Sequence, residues 1–349
     1  MRLKSSWVLF AMLSVFLFTG IGMAAPKEPT TVAEIALYQG VDRQQMLEEG
    51  AKKEGELLIY TTAFNMEFVA EKFQKKYPYI KVDIWRGNTA KVVTKALEEY
   101  RARRNLADVI AGPQDVQMVM ADAGILQGFY SPELASIEEG AMAKAPDGGA
   151  FCVGFQQNGR GIGYNTNLIT KDQLPKTYQD LLDPQWKGKM AITGTDTGIS
   201  LVGTMLETYG EDFVKQLAKQ DIDVHMVSGR ALLDMVVNGE YAFSPVCADS
   251  HVFGAQKKGA PVDWIPLEPV HCFNTAIMLH KQSAHPHAAM LFIDFNSSKE
   301  GGEVYGSEGY TSPRKDIPGQ RSYKKYFGPF SVKQAQEWRD LFRKLFVTK

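Results

Sequence analysis

The chain has 349 residues, 44% of them hydrophobic and 23% charged, with a formal net charge of −1 at pH 7. These are the proportions of a globular protein with room for two ordinary domains. The even charge balance lacks the basic excess that marks a nucleic-acid surface, so no nucleic-acid partner is expected.

Arg2 and Lys4 precede an apolar run from Trp7 to Met23 that ends in Gly22-Met23-Ala24-Ala25. A basic start, an apolar centre and a small-residue end describe a secretory signal peptide over residues 1–24, cleaved after Ala24. The run contains Ser14, Thr19, Gly20 and Gly22 and is short for a membrane anchor. No Cys lies near the cleavage site to carry a lipid. Export to the periplasm follows, which places Cys152, Cys247 and Cys272 in an oxidising compartment. Their spacing fits no zinc pattern, and both one disulfide and three unpaired thiols remain open.

Beyond the signal, strands alternate with helices. Leu57 to Thr61 is a short β-favouring run, and Met66 to Lys76 carries Phe68, Val69 and Phe73 on one helical face. Ile80 to Trp85 reads as a strand, Thr89 to Arg104 as a helix, and Ala107 to Ala111 as a third strand. This β-α-β-α-β order implies a parallel sheet covered by helices. After Gly148-Gly149, Phe151 to Phe155 and Gly161 to Tyr164 read as two extended pieces, with Arg160 on a solvated loop between them. Leu174 to Leu182 reads as a short helical piece, Met190 to Thr193 as a strand, Ile199 to Tyr209 as a helix, and Val224 to Val227 as a strand. Ala231 to Asn238 is helical, Tyr241 to Cys247 extended, and Thr275 to Leu279 and His287 to Ser297 again strand then helix. Val332, Ala335, Trp338, Leu341 and Leu345 form a terminal helical stripe behind a Ser331 cap.

Eight pieces along the chain carry a resemblance. They are Ala51-Lys52-Lys53-Glu54-Gly55 before Tyr60-Thr61-Thr62, Phe73-Gln74-Lys75-Lys76-Tyr77-Pro78, Ala107-Asp108-Val109-Ile110, Tyr164-Asn165-Thr166, and the stretch from Asp180 to Lys189. Asn238-Gly239-Glu240, Lys257 to Val262, and His285-Pro286-His287-Ala288-Ala289 leading into Leu291 to Phe295 complete the series. In this order the chain resembles the family 1 solute-binding proteins, in the branch usually called iron(III)-type. The resemblance implies the extracytoplasmic receptor of an ABC importer, monomeric, closing around a small molecule and docking on a membrane permease. It implies an α/β fold of two lobes, each a sheet flanked by helices, joined by hinge strands at Phe151–Phe155 and Cys272–Met278. Lobe one would hold residues 25–150 and about 273–315, lobe two residues 151–272, and residues 316–349 a helical segment packing on the lobes. Cys152 and Cys272 would then lie close together.

Ligands of open α/β sheets sit beyond the carboxyl ends of the strands, where helix N-termini favour anions. The lobe-one strand ends offer Thr61, Thr62, Arg86, Asn88 and Gln114; those of lobe two offer Thr195, Thr197, Ser228, Arg230, Asp249, Ser250 and His251. Arg86 and Arg230 suit a bidentate fork to a carboxylate or phosphate, and Arg230, opening a helix after Ser228-Gly229, is expected to matter most. The Thr and Ser residues serve a helix cap as readily as a ligand. Ferric members of the resembled family use adjacent tyrosines late in lobe two, where this chain reads Cys247-Ala248-Asp249-Ser250-His251. That departure favours a phosphonate, sugar phosphate or carboxylate over ferric iron, with no metal and no cofactor. A ligand sensor for a membrane receptor is the third alternative. No GxSxG, HExxH, Walker loop or dinucleotide glycine motif occurs, so no catalysis is expected.

Overall fold

A computed structural model describes residues 29–348 except 105 and 330. The expected signal peptide, residues 1–24, lies outside the described residues. Helix α1 (Val32–Leu37) opens with a capping box between Thr31 and Glu34, and α2 (Arg43–Glu54) stops at Gly55, whose φ of 71° favours glycine. Strands β1 (Glu56–Thr61), β2 (Lys81–Arg86) and β3 (Val109–Pro113) run parallel, connected by α3 (Met66–Lys76) and α4 (Thr89–Arg101). The short α5 (Val116–Asp122), β4 (Leu126–Gln127) and β5 (Met142–Lys144) lead to the long strand β6 (Ala150–Asn165). A second α/β unit follows: β7 (Ala191–Thr193), α6 (Asp196–Tyr209), α7 (Glu211–Ala218), β8 (Asp223–His225), α8 (Gly229–Val237), β9 (Phe243–Ala248), α9 (Asp249–Gln256) and β10 (Val262–Ile265). Strand β11 (Val270–His280) returns to the first unit, followed by α10 (Pro286–Ser297), α11 (Lys299–Ser307), β12 (Lys325–Tyr326) and α12 (Val332–Phe342).

The main sheet has the order β10-β6-β11-β3-β1-β2, with β5 and β9 also on β6, and β4 and β12 also on β11. The lobes therefore share one continuous sheet through β6 and β11, and only β7 and β8 pair apart from it. Two strands thus cross between the lobes, antiparallel and paired from Val153–Ile277 to Arg160–His271, with a register shift between Thr275 and Ala276.

The expected break between Phe151–Phe155 and Gly161–Tyr164 is absent: β6 is one strand of 16 residues. Its glycines admit close neighbours rather than a turn. A Cβ on Gly159 would meet Tyr323 Oη at 2.5 Å, and one on Gly161 the Ile265 carbonyl at 2.4 Å. Arg160 consequently lies on a hinge strand and not on a solvated loop.

Each lobe has its own core. Ile59, Phe73, Val109, Ile277 and Phe292 anchor lobe one; Ile162, Ile192, Leu201, Val214 and Val246 anchor lobe two. The terminal segment packs on lobe two, where Phe342 and Phe346 join its core. Trp338 is 1% exposed. A Cβ on Gly203 of α6 would stand 2.0 Å from the Trp338 ring, so only glycine lets α12 approach this closely. Residues ahead of α12 tie both lobes: Lys325 donates to Glu138 at 2.6 Å and Arg321 pairs with Asp249 at 2.5 Å.

All three cysteines are buried and unpaired. Cys272 lies opposite Gly159, while Cys152 is beside Val153, which lies opposite Ile277. About six ladder steps of ~3.4 Å therefore separate Cys152 from Cys272, well beyond the ~7 Å Cα limit of a disulfide. Burial pushes each thiol up to about 12. Among the described residues no helix is long and apolar enough to cross a membrane.

Candidate functional site

The hinge strands floor the space between the lobes. Asn158 lies opposite Phe273 and Arg160 opposite His271, and directly opposed residues of an antiparallel ladder project to one face. The Arg160 guanidinium lies over the Phe273 ring at 5.7 Å, and its Nη1 donates to Thr197 Oγ1 at 3.1 Å. Its Nε is buried with no partner. Desolvation draws the group down to about 10, against the pull of Asp249 and Asp196, so it stays charged at neutral pH. A buried cationic N–H without an acceptor is costly.

Arg160 borders a cavity of about 610 Å³. Lobe one contributes the first turn of α5 and the Glu139–Ala143 stretch. Lobe two contributes α6 and α12, and His271, Cys272, Phe273 and Asn274 lie along the floor. The volume is that of a small-molecule site.

The structure brings together some of the residues expected from sequence. Gln114 lines the cavity; its Oε1 accepts from Asn274 Nδ2 at 2.6 Å and its Nε2 donates to the Gly140 carbonyl at 3.2 Å. Thr197 sits in the first turn of α6 as the Arg160 partner. Thr195 bonds Thr193 at 3.0 Å in the same turn. Thr62 is half-buried against Gly112. Ser250 Oγ is hydrogen-bonded to Asn158 Oδ1. His251 has a buried Nδ1 without a partner, and burial together with Arg160 and Arg230 draws the imidazole down to about 4.

Others serve the scaffold. Thr61 accepts from the Ala63 amide at 3.0 Å inside its own turn. Asn88 caps α4 and Ser228 caps α8. Arg86 is exposed at the end of β2, an edge strand of the sheet. Asp249 is fully buried, taking the amides of Gly159 and Ser250 at 3.2 and 2.7 Å and Arg321 at 2.5 Å, which leaves it no role toward a ligand. Arg230 is the main correction. Its Nε lies 3.4 Å from Asp234 and its Nη1 3.4 Å from the His251 carbonyl, with the side chain 40% exposed and outside the cavity lining. Helical spacing placed a carboxylate four residues on, and the guanidinium turns to it. Arg160 takes the central place instead. The alternation of polar Asn158 and Arg160 with Gly159 and Gly161 is the period of two that signals a strand there. His285, at the N-cap of α10, and His287 in its first turn bind Asp108 at 3.0 Å and Glu54 at 2.6 Å, tying α10 to lobe one.

Two α/β lobes on a pair of crossing strands, with a cavity between them, define a binding protein of the periplasmic two-lobed class. The chain belongs to the bacterial extracellular solute-binding protein family, whose model matches residues 69–327. It is 26% identical over 274 residues to an uncharacterised protein of Haemophilus influenzae, covering 74% of this chain and 78% of that one. It is 27% identical over 133 residues to the Fe(3+)-binding periplasmic protein of Serratia marcescens, a match spanning 38% of each chain. Iron-bound HitA from Pseudomonas aeruginosa superposes with a TM-score of 0.66 at 21% identity, over 83% of this chain and 99% of that one. AfuA from Actinobacillus pleuropneumoniae, with fructose-6-phosphate bound, superposes with a TM-score of 0.65 at 22% identity, over 85% of this chain and all (100%) of the other. At these identities the two structures establish a shared fold. Family membership makes the chain an extracytoplasmic solute-binding protein of the ABC-importer type.

Proposed function

We propose that the protein captures a small organic anion between its lobes and hands it, chemically unchanged, to the membrane permease of an ABC importer. The reading takes the protein as a monomer exported by cleavage after Ala24. The observation that carries it is Arg160: a buried guanidinium on the hinge strand, anchored to Thr197 through Nη1 and left with an unpartnered Nε. Beside it stands the N-terminus of α6, where the helix dipole suits negative charge although the Gly198 amide is already taken by Thr193 Oγ1 at 3.0 Å. Closure is a hinge motion about β6 and β11, biased toward the closed form by ligand contacts made to both lobes.

Ferric iron, named for two of the similar proteins, fits this electrostatic setting less well. A buried cation repels a bare trivalent metal, and the pair Asp249–Arg321 already occupies the carboxylate nearest the tyrosine position of the ferric branch. A thermal-shift screen of carboxylates, phosphonates, sugar phosphates and iron salts tests the reading. A ligand at 100 times its Kd adds ~2.7 kcal/mol of stability. Stabilisation by an organic anion is expected. Stabilisation by iron alone, with coloured protein and indifference to anions, would overturn it.

A further inference from the structure

We propose that the ligand is an amphiphilic anion: an acidic head on Arg160 and Thr197, a ring-sized apolar body against Phe273 and Met118, and an amino or hydroxyl donor aimed at Asn274. This rests on the anion-binding reading above and names the ligand class for that site.

Size argues first. A phosphate-sized group fills on the order of three water volumes, ~90 Å³, and the cavity holds about 610 Å³. Most of the space is left for a ligand body. The walls argue second. Met118 of α5 and Met142 of β5 enter from lobe one, Ile199 of α6 and Trp338 of α12 from lobe two, and Phe273 from the floor. Methionines and aromatics at such positions adapt to a flat apolar group. An inorganic ion would leave this apolar part of the cavity lining unused.

The unpaired polar atoms argue third. Asn274 is 4% exposed, and its Nδ2 donates to Gln114 Oε1 at 2.6 Å and to the Gly140 carbonyl at 3.2 Å. Two acceptors on one side fix the amide orientation, and its Oδ1 is then buried with no donor. Two residues that line the cavity thus each hold a buried polar atom without a partner, the donor Arg160 Nε and the acceptor Asn274 Oδ1. A ligand with an anionic group and a separate donor satisfies both, and a simple anion satisfies only the first. Acidic residues also border the cavity: Asp115, Glu139 and Asp196, the last lying 3.7 Å from Arg339. They weaken the case for a bare multivalent anion and suit a ligand that carries its own donor.

The test is calorimetric titration of the purified full-length mature protein with 3-phenyllactate, L-phenylalanine, 3-phenylpropionate, lactate and inorganic phosphate. Phenyllactate or phenylalanine is expected to bind at least tenfold tighter than 3-phenylpropionate, which lacks the donor. Lactate, which lacks the ring, is expected to lose ten- to a hundredfold. Met118→Ser should weaken phenyllactate binding more than lactate binding and so remove the ring preference, with folding checked by circular dichroism. Binding of lactate or phosphate as tight as that of the ring-bearing acids would overturn the amphiphile and leave the anion reading standing. Binding of none of these, with iron salts binding instead, would overturn both.

Discussion

Arg160 and Thr197, on the hinge strand and in the first turn of α6, are joined by a 3.1 Å hydrogen bond from Nη1 to Oγ1. That bond fixes the guanidinium plane. With Nη1 committed and the ring of Phe273 at 5.7 Å, rotation of the group is restricted before any ligand arrives. Preorganisation of this kind lowers the cost of binding. It also ties Arg160 on β6 to the first turn of α6.

Acid should unfold the protein through its buried histidines. Burial draws His271 down to about 3, and His251 and His280 to about 4, from an ordinary value near 6.5. A depressed native value means that the unfolded chain binds more protons, so stability is full above about 6.5 and falls as pH drops toward 3. Asp249, raised to about 6 by burial, acts in the opposite sense between about pH 4 and 6, and Asp115, Asp294 and His285, also raised, act with it, so the fall carried by the three imidazoles is partly offset. The melting temperature is expected to fall steadily from pH 7 to pH 4, and His271→Gln to flatten that fall. A flat profile over this range would contradict the burial of these imidazoles.

Removing Arg321 should expose the dependence of Asp249 on its partner. The Asp249 side chain is fully buried and that of Arg321 36% exposed, so part of the attraction is screened by solvent. Arg321→Ala is expected to cost about 1–3 kcal/mol in urea denaturation. Combining it with Asp249→Asn should return a good part of that loss, since the stranded charge is then gone. An additive double variant would show that the two residues do not act as a pair.

Much of lobe one was legible in the sequence because each of its elements follows a single period. The apolar run at Leu57–Tyr60 and the face carried by Val69 and Phe73 are local signals that the tertiary structure keeps. Helix boundaries moved by a residue or a few: the helix read as Ile199–Tyr209 begins at Asp196, and that read as Ala231–Asn238 begins at Gly229. The Leu174–Leu182 stretch is helical only over the 3₁₀ turn Gln179–Leu182. Strand β6 was not legible as one element, because Gly159 and Gly161 look like punctuation until Tyr323 and Ile265 are seen pressing on them. The site suffered from the same cause. Arg230 stands at a helix start and attracts notice there, but Asp234 lies one turn on and takes it. The orphaned Nε of Arg160 and Oδ1 of Asn274 depend on distant partners, Thr197 and Gln114, that no local pattern announces.

Docking of the terminal helix rests on a glycine. With the Trp338 ring 2.0 Å from the position of a Gly203 Cβ, Gly203→Ala must push α12 away from α6. A loss of about 1–3 kcal/mol is expected, as for overpacked cores, with increased Trp338 solvent exposure in fluorescence. Unchanged stability and emission would mean that α12 is not seated on this face.

Calorimetric titration of one organic anion into wild type, Arg160→Ala, Arg160→Lys and Arg230→Ala tests the central claim most directly. A charge-assisted hydrogen bond contributes ~1.5–3 kcal/mol, so Arg160→Ala is expected to weaken binding about ten- to a hundredfold, and Arg160→Lys to recover only part of it. Arg230→Ala, which removes a half-exposed pair with Asp234, is expected to change affinity less than threefold. Wild-type affinity in Arg160→Ala, or a larger loss in Arg230→Ala, would contradict the placement of the anion on the hinge strand.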